Sequence, residues 1–248
     1  MAHTEAVYLH DASLRTLTTE ILAYQPTASL PENEQALARN LNSGSAAITT
    51  RQTIFYPQGG GQPSDTGSIA PPDQEPVFNV TLVRKGDNGR ILHFGETLHP
   101  TNSSSLATGQ LVVQSINGPA RDYHSRLHTA GHILDLAMQI LMPEMKNIKA
   151  NHFPGEASLE YKGLVYGDRK PLIQEKVDEL VRRDLPVLIS WLEEDCHTRV
   201  ASIGGLDQTP CGGTHVERTG LVGSVVVRKI SRQKGVSRVS YDVSPDAH

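Results

Sequence analysis

Hydrophobic positions in the first half of the chain fall in short runs rather than at helical intervals. Residues 7–25, 46–56, 77–85, 90–95 and 111–116 are rich in β-branched or aromatic side chains and are separated by Gly, Pro, Asn and Asp clusters, the pattern of strands and turns. Lys85-Gly86-Asp87-Asn88-Gly89-Arg90 lies between two of these runs and reads as a hairpin loop. Repeated short strands without helical patterning predict a small β-barrel or sandwich. The Asn- and Ser-rich residues 101–109 read as a loop near its end.

The pattern changes at Pro119. From Ala120 to Met142, Leu127, Ala130, Leu134, Ala137, Met138 and Leu141 recur at helical spacing, and Pro143 closes the segment. Pro171 opens a second predicted helix over residues 172–185, which stops before Pro186. Residues 157–161, 187–192, 223–230 and 236–243 read as strands, the last two joined around Lys234-Gly235. The expected class is α+β, with a barrel domain over residues 1–112 and a second domain over 113–248 that packs helices on an antiparallel sheet.

Composition narrows the function. Apolar residues at 38% and charged residues at 20% exclude disorder throughout. A net charge of -4 argues against a general nucleic-acid coat protein, so a nucleic-acid partner would need a local basic patch. Cys196 and Cys211, the only cysteines, are too few for a disulfide framework and fit a reducing compartment. Met1 to Glu5 lack signal-peptide character, and no apolar run approaches the ~18 residues of a membrane span. A cytoplasmic protein without a membrane partner is expected.

The chemistry concentrates in two clusters. His124, His128 and His132 are spaced four apart on the first helix, so they share roughly an 80° arc, away from the apolar stripe. On its own such a set is also what a solvated helix face looks like. Thr209-Pro210-Cys211-Gly212-Gly213-Thr214-His215 adds a thiol and an imidazole on a turn that two glycines make tight. Two helical histidines with this Cys and His form a His₃Cys set suited to tetrahedral Zn²⁺. His124 is then the spare: it could substitute for a ligand, but orienting one or standing solvated is the favoured reading. Cys196-His197 is a poorer pair, because adjacent strand side chains point apart. Asp135 and Gln139 on the histidine face, with Gly131 between the ligands, predict a polar cleft with room for a substrate.

Arg121, then Arg126-Leu127-His128-Thr129-Ala130-Gly131-His132-Ile133-Leu134, and downstream Cys211-Gly212-Gly213-Thr214-His215-Val216 resemble the editing domain of alanyl-tRNA synthetases. Phe55-Tyr56-Pro57-Gln58-Gly59-Gly60-Gly61-Gln62-Pro63-Ser64-Asp65-Thr66-Gly67 is similar to the glycine-rich motif that precedes it. The resemblance is closer still to the free-standing AlaX proteins of medium length, since 248 residues leave no room for a class II aminoacylation core. It implies hydrolysis in trans of alanine tRNA mischarged with serine, or with glycine, a proofreading step in translation. It also implies zinc ligation by His128, His132, Cys211 and His215, and a barrel followed by a zinc-binding editing domain. The sequence departs from the family at Gly131, where Thr or Ala is common, and at residues 151–158, which assign no specificity residue.

Substrate contacts are expected from Thr129 and Thr214 beside the ligands, from Gly59, Gly60, Gly61 and Gln62, and from Arg121 and Arg126 flanking the helix. Surface threonines and a plain β-turn are the alternatives for the first six of these. Arg228, Lys229, Arg232, Lys234 and Arg238, five basic residues within 228–238, are the expected contacts to tRNA phosphates. Two other functions stay open: editing of a different aminoacyl-tRNA, since threonyl-tRNA synthetase carries a related module, and a non-catalytic tRNA-binding module stapled by zinc.

Overall fold

The structure is a computed structural model that describes residues 3–98, 106–192 and 198–244. Packing divides the chain into two compact units, Met1–Gly59 with Pro63–Arg121 and Gly60–Gln62 with Asp122–His248. The class is α+β, as the patterning predicts.

The first unit contains β1 (Glu5–Ala6), β2 (Thr16–Pro26), the short helix α1 (Glu32–Gln35), β3 (Ala46–Thr50), β4 (Gln52–Thr53), β5 (Gly67–Ala70), β6 (Phe78–Lys85), β7 (Ile91–Thr97) and β8 (Leu111–Ile116). Six of these strands close a barrel in the order β2-β3-β7-β6-β5-β8. Alternation along β6 puts Phe78 and Val80 inside; a register shift between Val80 and Leu82 then brings Val83 inside. Such bulges bend a strand and help a sheet close. The run at residues 7–25 is not one strand. Val7–Leu9 is a 3-10 turn, and Asp11 Oδ1 accepts the Ser13 amide at 2.9 Å, an Asx turn that interrupts the extended chain before β2.

The second unit takes up the helix α2 (Gly118–Leu141) from Asp122 onward. Asn117 Oδ1 caps its start by accepting the Ala120 amide. There follow β9 (Lys146–Asn151), β10 (Ser158–Lys162), α3 (Lys170–Arg182), β11 (Val187–Trp191), β12 (Arg199–Ile203), β13 (Thr209–Pro210), β14 (Val225–Gln233) and β15 (Val236–Val243). An antiparallel sheet runs β14-β15-β10-β9, and a smaller one runs β11-β12-β13. Ala130, Ile133, Leu134 and Ala137 of α2 share one core with Leu159, Val239 and Tyr241 of the sheet and with Ile173, Val177 and Leu180 of α3. Pro171 sits in the first turn of α3, where its missing amide costs no hydrogen bond. Among the described residues, no helix is long and apolar enough to cross a membrane.

Candidate metal centre

The histidine face of α2 is not a solvated face. His128, Thr129 and His132 are buried along with the apolar stripe, because the loop after β13 lies over them. That loop brings Cys211 Sγ to 3.5 Å from His128 Nε2 and 3.2 Å from His215 Nε2. His128, His132, Cys211 and His215 each offer one donor atom, and all four lie within 4.8 Å of one another. In a tetrahedral site with Zn–N of about 2.0–2.1 Å and Zn–S of about 2.3 Å, a nitrogen and a sulfur donor stand ~3.5 Å apart. The cluster therefore fits a metal in donor type, number and spacing. His124 is half-buried and outside it. Cys196 and His197 lie outside the described residues.

The close approach of the loop depends on Gly213. A Cβ there would stand 2.1 Å from His128 Cε1, closer than any real contact. Arg199 holds the loop from below, donating from Nη1 to the carbonyls of Cys211 at 2.7 Å and Gly213 at 3.0 Å. Sequence reading missed Arg199; its position on β12, a strand absent from the predicted set, concealed it.

Hydrogen bonds fix which ring nitrogen faces the cluster. Gln62 Oε1 accepts from His128 Nδ1–H at 2.7 Å and from the Thr214 amide at 3.1 Å, while Gln62 Nε2 donates to Thr214 Oγ1 at 2.8 Å. His128 thus turns a bare Nε2 lone pair towards Cys211. Thr129 donates its hydroxyl proton to the Ser125 carbonyl at 2.8 Å, so its oxygen accepts Nδ1–H of His215 at 3.3 Å and the Val216 amide at 3.2 Å. His215 is oriented in the same sense. Burial pushes His128 and His215 well below the usual imidazole range and His132 to about 4, which keeps all three neutral near pH 7, the form that ligates. Burial pushes the Cys211 thiol up; a divalent cation reverses that and stabilises the thiolate.

Several of the residues expected to contact substrate are buried. Thr129, Thr214 and Gln62 are fully buried and spend their polar atoms on the ligands and on one another. Arg121 is also buried, in the first unit: it is ion-paired with Asp65 and donates to the carbonyls of Ala12 and Ile54. Arg126 donates to the carbonyls of Val222 and Ser244. These arginines satisfy backbone oxygens. Gly131 leaves no vacant space, because a Cβ there would strike the His152 ring and the Tyr241 hydroxyl. Of the glycine run, Gly60 lines the cleft, Gly61 packs its φ +79° backbone on Ala150, and Gly59 belongs to the first unit and accepts the Tyr56 hydroxyl.

The donors open into a cleft of about 410 Å³ bordered by Gly60, Gly131, Asp135, Lys149 and His152. Asp135 forms a fixed wall, accepting from Asn147, Gln139 and Tyr161. His152, which the sequence did not single out, stacks on His128 with ring centroids 4.1 Å apart.

Residues 198–240 match the family model described as the threonyl and alanyl tRNA synthetase second additional domain. The chain is 28% identical to the alanyl-tRNA editing protein AlaX-M of Saccharolobus solfataricus, over 78% of this chain and 87% of that protein. It is also 28% identical to AlaX-L of Pyrococcus horikoshii, over 96% of this chain. This chain is a relative of the AlaX editing proteins. It spans 57% of the Pyrococcus protein, and 24% of the alanine–tRNA ligase of Methanosphaera stadtmanae, to which it is 30% identical. The Pyrococcus match covers 96% of this chain, enough to take in both α2 and the Cys-Gly-Gly-Thr-His loop.

Replacing Gln62 by leucine frees the His128 ring without touching a donor atom. Metal affinity measured by chelator competition should fall about 10–100-fold. Unchanged affinity would show that the loop alone sets the ring.

Proposed function

We propose that the chain hydrolyses the ester bond of alanine tRNA mischarged with serine, and secondarily with glycine, acting in trans on a zinc centre held by His128, His132, Cys211 and His215. The observation that carries this reading is the donor cluster: a complete, pre-oriented His₃Cys set opens into a substrate-sized cleft in a relative of editing proteins. Zinc, when bound, supplies Lewis acidity for an ester carbonyl. The chain's own residues do the rest. Gln62 and Thr129 hold two imidazoles in register, and the walls of the cleft limit what enters. The segment from 113 onward, with residues 60–62, forms the editing domain in this reading, and the cytoplasm is where its substrate is made.

For the tRNA, the exposed face of the four-stranded sheet supplies a track. Lys149, Glu160 and Arg238 are register neighbours across β9, β10 and β15, and Lys149 also borders the cleft. The five basic residues of the β14–β15 hairpin do not act as one patch. Arg228 is engaged by Asp242 at 3.4 Å and by the Gly155 carbonyl, and Arg232 lies over the Tyr166 ring at 4.8 Å, opposite the core-facing Ser237. Lys229, Lys234 and Lys149 are exposed, as is Arg238, whose Nε donates to Ser158 Oγ at 2.9 Å but whose charge has no acidic partner among the described residues, and these four are the proposed phosphate contacts. Four such contacts predict that tRNA affinity falls ~100-fold between about 50 and 200 mM salt. A salt-independent affinity would exclude this surface.

The deciding experiment is deacylation of tRNA charged with serine, glycine or threonine, with and without chelator. Chelator-sensitive hydrolysis of Ser-tRNA(Ala) is expected. Preferred hydrolysis of threonyl-tRNA would move the protein to another editing specificity, in keeping with a family model that spans both synthetases. A metal-dependent fold that cleaves none of them would make zinc a staple in a binding module.

A further inference from the structure

His152 is a polar group that the proposed chemistry leaves unassigned. It follows β9, its amide donates to the Gly61 carbonyl at 2.8 Å, and its ring lies in the cleft wall against His128. It is 3% exposed. The Tyr241 hydroxyl sits 2.5 Å from its Nδ1 and donates its single proton to the Leu127 carbonyl at 3.2 Å. With that proton on the carbonyl, the tyrosine oxygen accepts from the histidine. Nδ1 therefore carries the hydrogen, and Nε2 is a bare acceptor. No hydrogen bond to that nitrogen exists among the described residues, and it is not among the buried polar atoms that lack a partner. The residue lines the cleft, where an incoming group can meet it. Gly131 is the residue that makes room for this ring.

We infer that His152 is a specificity residue, its Nε2 accepting a hydrogen bond from the side-chain hydroxyl of the esterified amino acid. The inference rests on the editing reading above and names the substrate class as hydroxyl-bearing aminoacyl esters. The physical consequence is selective. A seryl group gives the buried acceptor a partner, whereas an alanyl or glycyl group seals it from water with none, at the cost of an unsatisfied buried polar atom. Correctly charged alanyl-tRNA is thus penalised by the same atom that welcomes serine. The α-ammonium could reach the same acceptor, but it is common to every aminoacyl ester and would give no selectivity.

The test compares kcat/KM for seryl- and glycyl-charged tRNA(Ala) in the full-length protein and three variants. His152→Asn keeps a donor near Tyr241 but removes the acceptor at Nε2, and should reduce the Ser/Gly ratio about 10–100-fold. His152→Gln returns an acceptor to that position and should recover part of the ratio. Tyr241→Phe releases the tautomer and should lower the ratio by a smaller factor. Equal loss on both substrates, with no rescue by glutamine, would overturn the inference in favour of a packing role or an ammonium contact. A native Ser/Gly ratio retained in His152→Asn would overturn it too. If the native protein cleaves neither ester, the editing reading itself fails and this one falls with it.

Discussion

Replacing Cys211 by alanine will remove bound metal and deacylation together, lowering kcat/KM on Ser-tRNA(Ala) by at least about 10³-fold. The thiol lies between two imidazole nitrogens at 3.5 and 3.2 Å, so the substitution deletes the one anionic donor and leaves three neutral rings around a void. Burial pushes the free thiol up, so its ionisation depends on a cation arriving, and metal uptake should release a proton measurable by calorimetry in buffers of different ionisation enthalpy. Metal stoichiometry and deacylation rate, measured on the same sample, separate the possible roles. Full activity in metal-free Cys211→Ala would exclude a metal mechanism. Retained metal with lost activity would instead make the sulfur a nucleophile.

Arg121→Ala will have its largest effect on folding rather than on substrate. The guanidinium is paired with Asp65 at 1% exposure on each side chain, and Asp65 also accepts the Tyr56 amide at 2.6 Å. Removing the arginine leaves a buried carboxylate uncompensated and frees the carbonyls of Ala12 and Ile54, which should cost about 3–5 kcal/mol. Urea denaturation checks this. A change below ~1 kcal/mol would show that the pair is solvated, and a specific rise in KM with unchanged stability would restore the arginine to the substrate.

The same arginine shows where sequence reading stops. A positive charge flanking a histidine helix reads as a surface group, because nothing in one sequence reveals that Asp65, in a different motif, lies against it. The α2 helix and most barrel strands were legible, since their core faces repeat at 3.6 or 2.0 residues. The strands β1, β5, β9, β12 and β13 were not. Gly67–Ala70 is short, and Lys146–Asn151 is an exposed polar edge, so neither carries a hydrophobic alternation to detect. The donor cluster was legible because both halves keep local spacings: His128 and His132 on one helix, Cys211 and His215 on one turn. Its supports were not. Gln62, Arg199 and His152 reach the site through long-range contacts that follow no local pattern.

Gln62 has a consequence for how this protein can be divided. It lies in a three-residue excursion, Gly60–Gln62, that groups with the later half of the chain while its neighbours on both sides group with the barrel. A fragment beginning at residue 113 would hold every donor atom and still lack the amide that aims His128. Excision at the apparent boundary would therefore yield a weakened metal binder rather than a minimal enzyme. A working truncation would have to carry the glycine-rich tripeptide with it, grafted or supplied as a peptide, much as a lock removed from a door still needs the plate that stayed in the frame.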